Sequence, residues 1–378
     1  MPGPTDPLLA WYASRARRLP WREDPPSDPD LRAYRTLVSE VMLQQTRADT
    51  VIEYYTRFLE HFPTVEDLAR APIEEVLKQW AGLGYYGRAR HLHAAARAVW
   101  ARGVFPRTAA ELVHLPGLGP YSAGAVASIA FGEAVPAVDG NVRRVVARLT
   151  GQDPAPSSGI RQVEAWVRSR IPPDRAGAFN QALMDLGATV CVPRRPRCAD
   201  CPLARECLAR ARGIEASVPS SRTRTPRPLE QRVAVIWAKQ GAVLVVERPG
   251  PGLLAGTWGP PDGPIAAGES PEEEAVRLLA EGFGVRSRAV ERLGCVTHAF
   301  THRRWAVDVV RVDARGAPEA RGWTRFRFLA PDQARDEVAL SRLGRKVLET
   351  LEPRRDAPGP SARRRPRPHG GREPGRLT

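Results

Sequence analysis

Four of the five cysteines fall in one short stretch, Cys191-x6-Cys198-x2-Cys201-x5-Cys207. Thiolates bind soft and borderline metals, and four so close in sequence can close around one centre. The segment that carries them, CVPRRPRCADCPLARECL, is too polar for four unligated buried thiols, and its spacing is not the paired CxxC…CxxC of a zinc ribbon. One [4Fe–4S] cluster is therefore expected ahead of zinc, which stays open as the alternative. With all four thiolates used as ligands no position is free for a substrate. The role implied is structural or electronic, with no catalytic metal.

Two carboxylates stand where general acid–base chemistry could be done. Glu40 lies in LVSEVMLQQT, on an otherwise mostly apolar helix, and Asp139 in AVPAVDGNVRRVVARL, immediately before another helix. Taken singly, Glu40 reads as an acid on a solvated face and Asp139 as a helix N-cap. Their company shifts the balance. Between them lies LPGLGPYSAGAV, Leu115 to Val126. Its Gly117 and Gly119 permit a tight hairpin whose backbone N–H groups can approach a phosphate, and the next helix adds the positive end of its dipole. The preceding TAAELVHLPG reads as helix rather than strand, which disfavours a dinucleotide loop and favours a helix–hairpin–helix gripping DNA backbone.

The elements that must position these groups follow from periodicity. From Leu8 to about Cys207 the pattern is helical: Leu37, Val38, Val41 and Met42 line one face, and after a break near Thr46, Val51, Tyr55, Phe58 and Phe62 line the next. Further helical segments follow in IEEVLKQWAGL, RARHLHAAARAVWARG, SAGAVASIAFG, NVRRVVARLTG, IRQVEAWVRSRI and AFNQALMDLGATVC. Beyond a polar, proline-rich stretch the period changes. RVAVIWA, AVLVVER, RWAVDVVRVD and TRFRFL read as strands, and SPEEEAVRLLAEGFG as a helix capped by Ser270. The expected organisation is multidomain. An all-α helix–hairpin–helix domain spans 1–208, its cysteine loop at 191–207. A linker covers 209–228, an α+β domain 229–352, and a disordered basic tail 353–378.

The length of 378 residues corresponds to about 2.5 domains of roughly 150 residues, and 42% hydrophobic residues suffice for real cores. The 57 basic against 42 acidic residues leave +15, the signature of a polyanionic partner. Yet only three of the 57 are lysines, and the tail alone holds eight arginines against two acids, so charge by itself is a weak pointer. No apolar run is long enough to span a bilayer, and MPGPTDPLLAWYASRARRLPW lacks the apolar core of a secretion signal. A cytoplasmic, nucleoid-associated, bacterial-type protein is expected, a monomer with no membrane partner.

With these residues in hand the chain resembles the adenine DNA glycosylases of the helix–hairpin–helix superfamily, the MutY family. The resemblance covers about Leu8 to Leu351. It rests on LPWR, VSEVMLQQTR, GLGYYGRARHLHAAA, LPGLGPYSAGAV, VDGNVRRV, FNQALMDLGATVC and the 6-2-5 cysteine spacing. Endonuclease III-like relatives share the hairpin and the cluster. They carry a lysine nucleophile where this chain has Tyr121, which cannot form a Schiff base, and they lack the C-terminal domain. That domain resembles a Nudix-like module, with GLLAGTW and HAFTH. At its Nudix box, Arg277-Leu278-Leu279-Ala280-Glu281-Gly282 stands for RExxEE, so most of the Mg²⁺-holding glutamates are absent and the module should bind rather than hydrolyse.

The resemblance implies hydrolysis of the N-glycosidic bond of adenine opposite 8-oxoguanine or guanine in double-stranded DNA, after the base leaves the stack. Glu40 would be the general acid at adenine N7, and Asp139 would stabilise an oxocarbenium-like sugar or form a transient adduct. Tyr121 would bond near the sugar and Asn141 would orient Asp139. The four cysteines would hold the cluster. Gln45 and Tyr85 match wedge positions, with Thr46 and Leu83 beside them and Arg22 lining the pocket. Gly117, Gly119 and Ser122 belong to the DNA-gripping hairpin. Phe300, Thr301 and His302 match the Phe-Ser-His trio that reads 8-oxoguanine, with threonine in place of serine. A bifunctional glycosylase/lyase and a noncatalytic lesion-binding protein are the alternatives.

Overall fold

The computed structural model describes residues 5–153, 159–220, 226–250 and 252–352. The tail expected at 353–378 lies outside them, as do residues 221–225 of the expected linker. The first part is built from helices α1 (Thr5–Arg15), α2 (Pro29–Leu43), α3 (Ala48–His61), α4 (Val65–Arg70), α5 (Ile73–Gln79) and α6 (Gly87–Arg102). After these come α7 (Ala109–Leu112), α8 (Pro120–Phe131), α9 (Gly140–Thr150), α10 (Gly159–Arg168), α11 (Ala176–Thr189) and α12 (Leu208–Ala211).

Local chemistry starts and stops these helices. Asp28 accepts from Asp30 N ahead of α2, whose first residue is Pro29, and Gly132 and Gly151 end α8 and α9 in the left-handed conformation. Leu37, Val38, Val41 and Met42 are buried, as the period requires. α2 packs on α8, and Gly124 of α8 lets the loop before α9 approach closely: a Cβ there would lie 2.2 Å from Pro136 O.

The second part carries strands β1 (Leu229–Lys239), β2 (Ala242–Glu247), β3 (Trp258–Gly259) and β4 (Asp262–Pro264), then α13 (Pro271–Phe283). It continues with β5 (Arg286–Ala299), β6 (Arg304–Arg315), β7 (Arg325–Leu329), α14 (Pro331–Glu337) and α15 (Arg342–Leu348). Among the described residues these make a mixed seven-stranded sheet, β3-β2-β1-β6-β5, with β4 on β1 and β7 on β2. The β1–β6 pair is parallel; the other pairs are antiparallel. Ser270 caps α13 in a capping box with Glu273, as read from the sequence.

Two expectations change. The 14-residue β5 escaped the sequence reading because it is an edge strand whose side chains are nowhere fully buried. The expected linker is folded at its start: Ala209 of α12 is buried against α9, and Val218 O accepts from Arg148 Nε at 2.8 Å. The two parts share one apolar core, in which Trp80, Tyr86 and Leu92 join Trp258, Leu340 and Val347. Polar ties flank it. Tyr86 OH donates to Leu340 O at 3.4 Å, Arg90 donates to Ala255 O, and Arg325 pairs with both Glu74 and Glu247.

Candidate active site and opposite-base reader

A cavity of about 610 Å³ opens between the helices and is lined by Glu40, Tyr121, Asp139, Asn141, Arg22 and Gln45, with Thr46 at the same turn. Glu40 comes from α2, Tyr121 from the first turn of α8, and Asp139 and Asn141 from the start of α9. The close α2–α8 packing brings Tyr121 OH to 2.6 Å from Glu40 Oε2, the hydroxyl donating. Glu40 is only 5% exposed, so it is no solvated-face acid. Burial pushes its carboxyl up to about 6; the nearby Asp139 charge adds to this, while the Tyr121 bond and Arg22 oppose it.

Asp139 is both the N-cap and a cavity residue. Its Oδ1 accepts from Val142 N at 2.7 Å and its Oδ2 from Asn141 Nδ2 at 2.8 Å. Burial raises its pKa, and these two bonds hold the rise in check. Asn141 thus holds one oxygen of Asp139 through its side-chain amide. It is held in turn by Arg144, which donates to Asn141 Oδ1 at 2.9 Å, to Gly187 O at 2.8 Å and to Cys191 O at 2.8 Å. Gly187 permits the approach of α11, since a Cβ there would lie 2.6 Å from Asn141 Cβ.

The turns that carry the wedge positions are strained. Gln45 and Tyr85 both have positive φ, 59° and 52°, unusual for side chains of their size. Gln45 is exposed and Tyr85 is 47% exposed. Arg88, which the sequence reading passed over, clamps both turns. It donates to Val41 O, Met42 O, Gln44 O and Thr46 Oγ1, and to Gly84 O, while its guanidinium lies 5.3 Å from the Tyr85 ring centroid. Leu83, 7% exposed, packs in the core and also borders a cavity beside Tyr85.

In the hairpin Gly117 and Gly119 are exposed on either side of the buried Leu118, and Gly119 is the N-cap of α8. Ser122 is 3% exposed and accepts from Gln44 Nε2 at 3.4 Å, so its side chain links α2 to α8 from within.

Phe300, Thr301 and His302 form the β5–β6 loop and line a second cavity of about 640 Å³ together with Tyr85 and His91. Phe300 packs edge-on between His298 and Trp305, with ring centroids 4.6 and 4.5 Å away. Thr301 Oγ1 donates to Tyr85 OH at 3.4 Å, joining the loop to the wedge turn of the helical part. His302 is exposed. Burial, with Lys346 and Arg342 adding, holds His298 down to about 4, so it is neutral there.

Residues 38–170 match the family model described as HhH-GPD superfamily base excision DNA repair protein, and residues 232–350 match the NUDIX domain. The adenine DNA glycosylase of Rattus norvegicus is 36% identical over 403 residues, covering 92% of this chain and 78% of that protein. This chain belongs to the adenine DNA glycosylase family. The adenine DNA glycosylase of Homo sapiens is 38% identical over 363 residues, 82% of this chain and 66% of that protein. That of Mycolicibacterium smegmatis is 43% identical over 219 residues, 57% of this chain and 72% of that protein.

In this member of the family Cys191, Cys198, Cys201 and Cys207 line one apolar hollow with Val145, Leu149 and Val190. Among the described residues no three acid, histidine or cysteine groups meet closely enough to hold a single ion. Four thiols gathered on one apolar hollow are the donor chemistry that a thiolate-held metal centre requires. Arg148 anchors the loop, donating to Cys191 Sγ at 3.4 Å and to Val192 O at 2.8 Å. On α13 Glu281 pairs with Arg277 and stands alone at the degenerate Nudix box.

The acid that the sequence reading left unassigned is Asp185 of α11, which accepts from both Arg17 and Arg22. Arg22 lines the cavity as expected, but pinned from behind.

Proposed function

We propose that the chain hydrolyses the N-glycosidic bond of adenine paired with 8-oxoguanine, or with guanine, in duplex DNA. The carrying observation is the pairing of buried Glu40 with Tyr121 on a cavity that Asp139 also lines. A carboxyl group near 6 still carries a proton at mildly acid pH and can deliver it to adenine N7, so base release falls as pH rises through that value. Asp139, oriented by Asn141, faces the positive charge that develops on the sugar. Tyr121 holds the Glu40 carboxyl in place.

Extruding adenine costs a few kcal/mol of stacking and pairing. Tyr85 and Gln45 sit on preformed strained turns from which a side chain can fill the gap. Phe300, Thr301 and His302 then read the opposite base, on the evidence of the cavity they share with Tyr85. Cys191, Cys198, Cys201 and Cys207 would hold a [4Fe–4S] cluster, which supplies a structural or electron-transfer centre. Iron and acid-labile sulfide in the purified protein are expected; stoichiometric zinc without iron overturns that assignment.

The test is adenine release from an A:8-oxoguanine duplex under single-turnover conditions. Release without a borohydride-trapped adduct of the lyase type is expected, since Tyr121 carries no amine. No release, or an efficiently trapped Schiff base, contradicts the proposal.

A further inference from the structure

Behind the cavity wall lies a charged cluster that no motif singles out. Asp185 is fully shielded from solvent and accepts five N–H bonds. Arg17 donates from its backbone N at 3.1 Å, from Nε at 2.9 Å and from Nη2 at 2.7 Å. Arg22 donates from Nη1 at 2.7 Å and from Nη2 at 3.1 Å. Burial pushes the Asp185 carboxyl up, but the bonds and charges of Arg22 and Arg17 hold it below the usual carboxylate range. Both arginines line the cavity that holds Glu40. Two cations against one carboxylate leave a net positive charge there, and Arg22 Nε is buried with no partner among the described residues.

We propose that Asp185 is a positioning residue for base excision: it fixes Arg22 and Arg17 on the cavity wall and cancels one of their two charges, so that Glu40 keeps its proton beside them. The proposal rests on the base-excision reading of the cavity. The groups that act on Glu40 are Tyr121 from α8, Asp139 from the start of α9 and Arg22 from the segment between α1 and α2, where Arg17 lines the same cavity. Asp185 of α11 stands behind them, with the Tyr12 ring of α1 5.7 Å from the Arg22 guanidinium. Asp139, bonded to Val142 and Asn141, pushes Glu40 up directly, and Tyr121 is a neutral donor. Asp185 acts instead through the arginines it holds, setting how strongly Arg22 draws the proton off Glu40.

The experiment follows single-turnover adenine release against pH for the wild type, Asp185→Asn, Asp185→Glu and Arg17→Gln, with duplex affinity measured alongside. Asp185→Asn leaves both cations uncompensated. The descending limb should move acid by about one pH unit, giving about tenfold slower release at pH 7.5 and little change at pH 5.5. Asp185→Glu should restore the limb. Arg17→Gln, which removes a cation that is 34% exposed and so is less needed for folding, should move it the other way. A purely structural Asp185 would slow release by one factor at every pH, and that outcome, or limbs moving in the same direction in Asp185→Asn and Arg17→Gln, overturns the proposal. Wild type releasing no adenine at any pH overturns the base-excision reading and this one with it. Wild-type release with an unmoved limb in Asp185→Asn overturns the role of Asp185 alone.

Discussion

Glu40 is held in a form that stability alone would not select. In the folded chain its carboxyl sits near 6 rather than the ordinary 4.5, so the folded protein keeps a proton that the unfolded chain releases between those values. The favourable contribution of that proton is present below 4.5 and is lost as pH rises through about 6. Glu40→Gln removes the ionisable group while keeping an acceptor for Tyr121. It should raise unfolding free energy by about 2 kcal/mol at pH 8, and by almost nothing at pH 4. Denaturant unfolding at the two pH values checks this; an equal effect at both contradicts the buried, proton-retaining state. Asp139 shows how a residue can carry a bland role and a chemical one at once, since the cap bond to Val142 is also what aims its other oxygen. That pairing was legible in VDGN, where the cap and its neighbouring amide are adjacent. The Asp185 cluster was not, because its partners are 163 and 168 positions away and nothing local marks an aspartate in MDLG as buried.

Among the elements, the hairpin between α7 and α8 depends on one backbone conformation. Gly117 has φ of 78°, and a Cβ there would lie 2.3 Å from His91 Cβ, an atom that cannot swing aside without moving α6. Gly117→Ala should therefore destabilise the protein by about 1–3 kcal/mol and weaken duplex binding, since the exposed N–H groups would be displaced. Melting temperature together with duplex affinity checks it; unchanged values for both contradict the tight-hairpin account. Periodicity made α2, α8, α9 and α13 readable, each having an apolar face and a capping or glycine signal. Edge strand β5 has neither, and α15, only seven residues long, is too short for a period to declare itself. Leu83 and Ser122 turn inward for a related reason. Both sit two residues from an exposed position, Tyr85 and Pro120, and only the turn geometry decides which of the neighbours is exposed.

At the scale of the whole molecule, two cavities built by different parts of the chain are tied together at the wedge. Arg88 fastens the Gln45 turn to the Tyr85 turn, and Tyr85 meets Thr301 of the β5–β6 loop. The shared apolar core and the Arg325–Glu74 pair hold the two parts in that relation. On the proposed function, that relation lets the helical cavity take an extruded base while the loop reads the base opposite it. All of this rests on Glu40 delivering a proton inside that cavity. The most direct measurement compares single-turnover adenine release from an A:8-oxoguanine duplex by wild type and Glu40→Gln, at saturating protein and matched duplex affinity. Loss of about 10²-fold or more in the variant, with binding retained, is the expected result. Release by Glu40→Gln within about threefold of wild type would contradict the account, because proton transfer by a positioned acid is a larger effect than that.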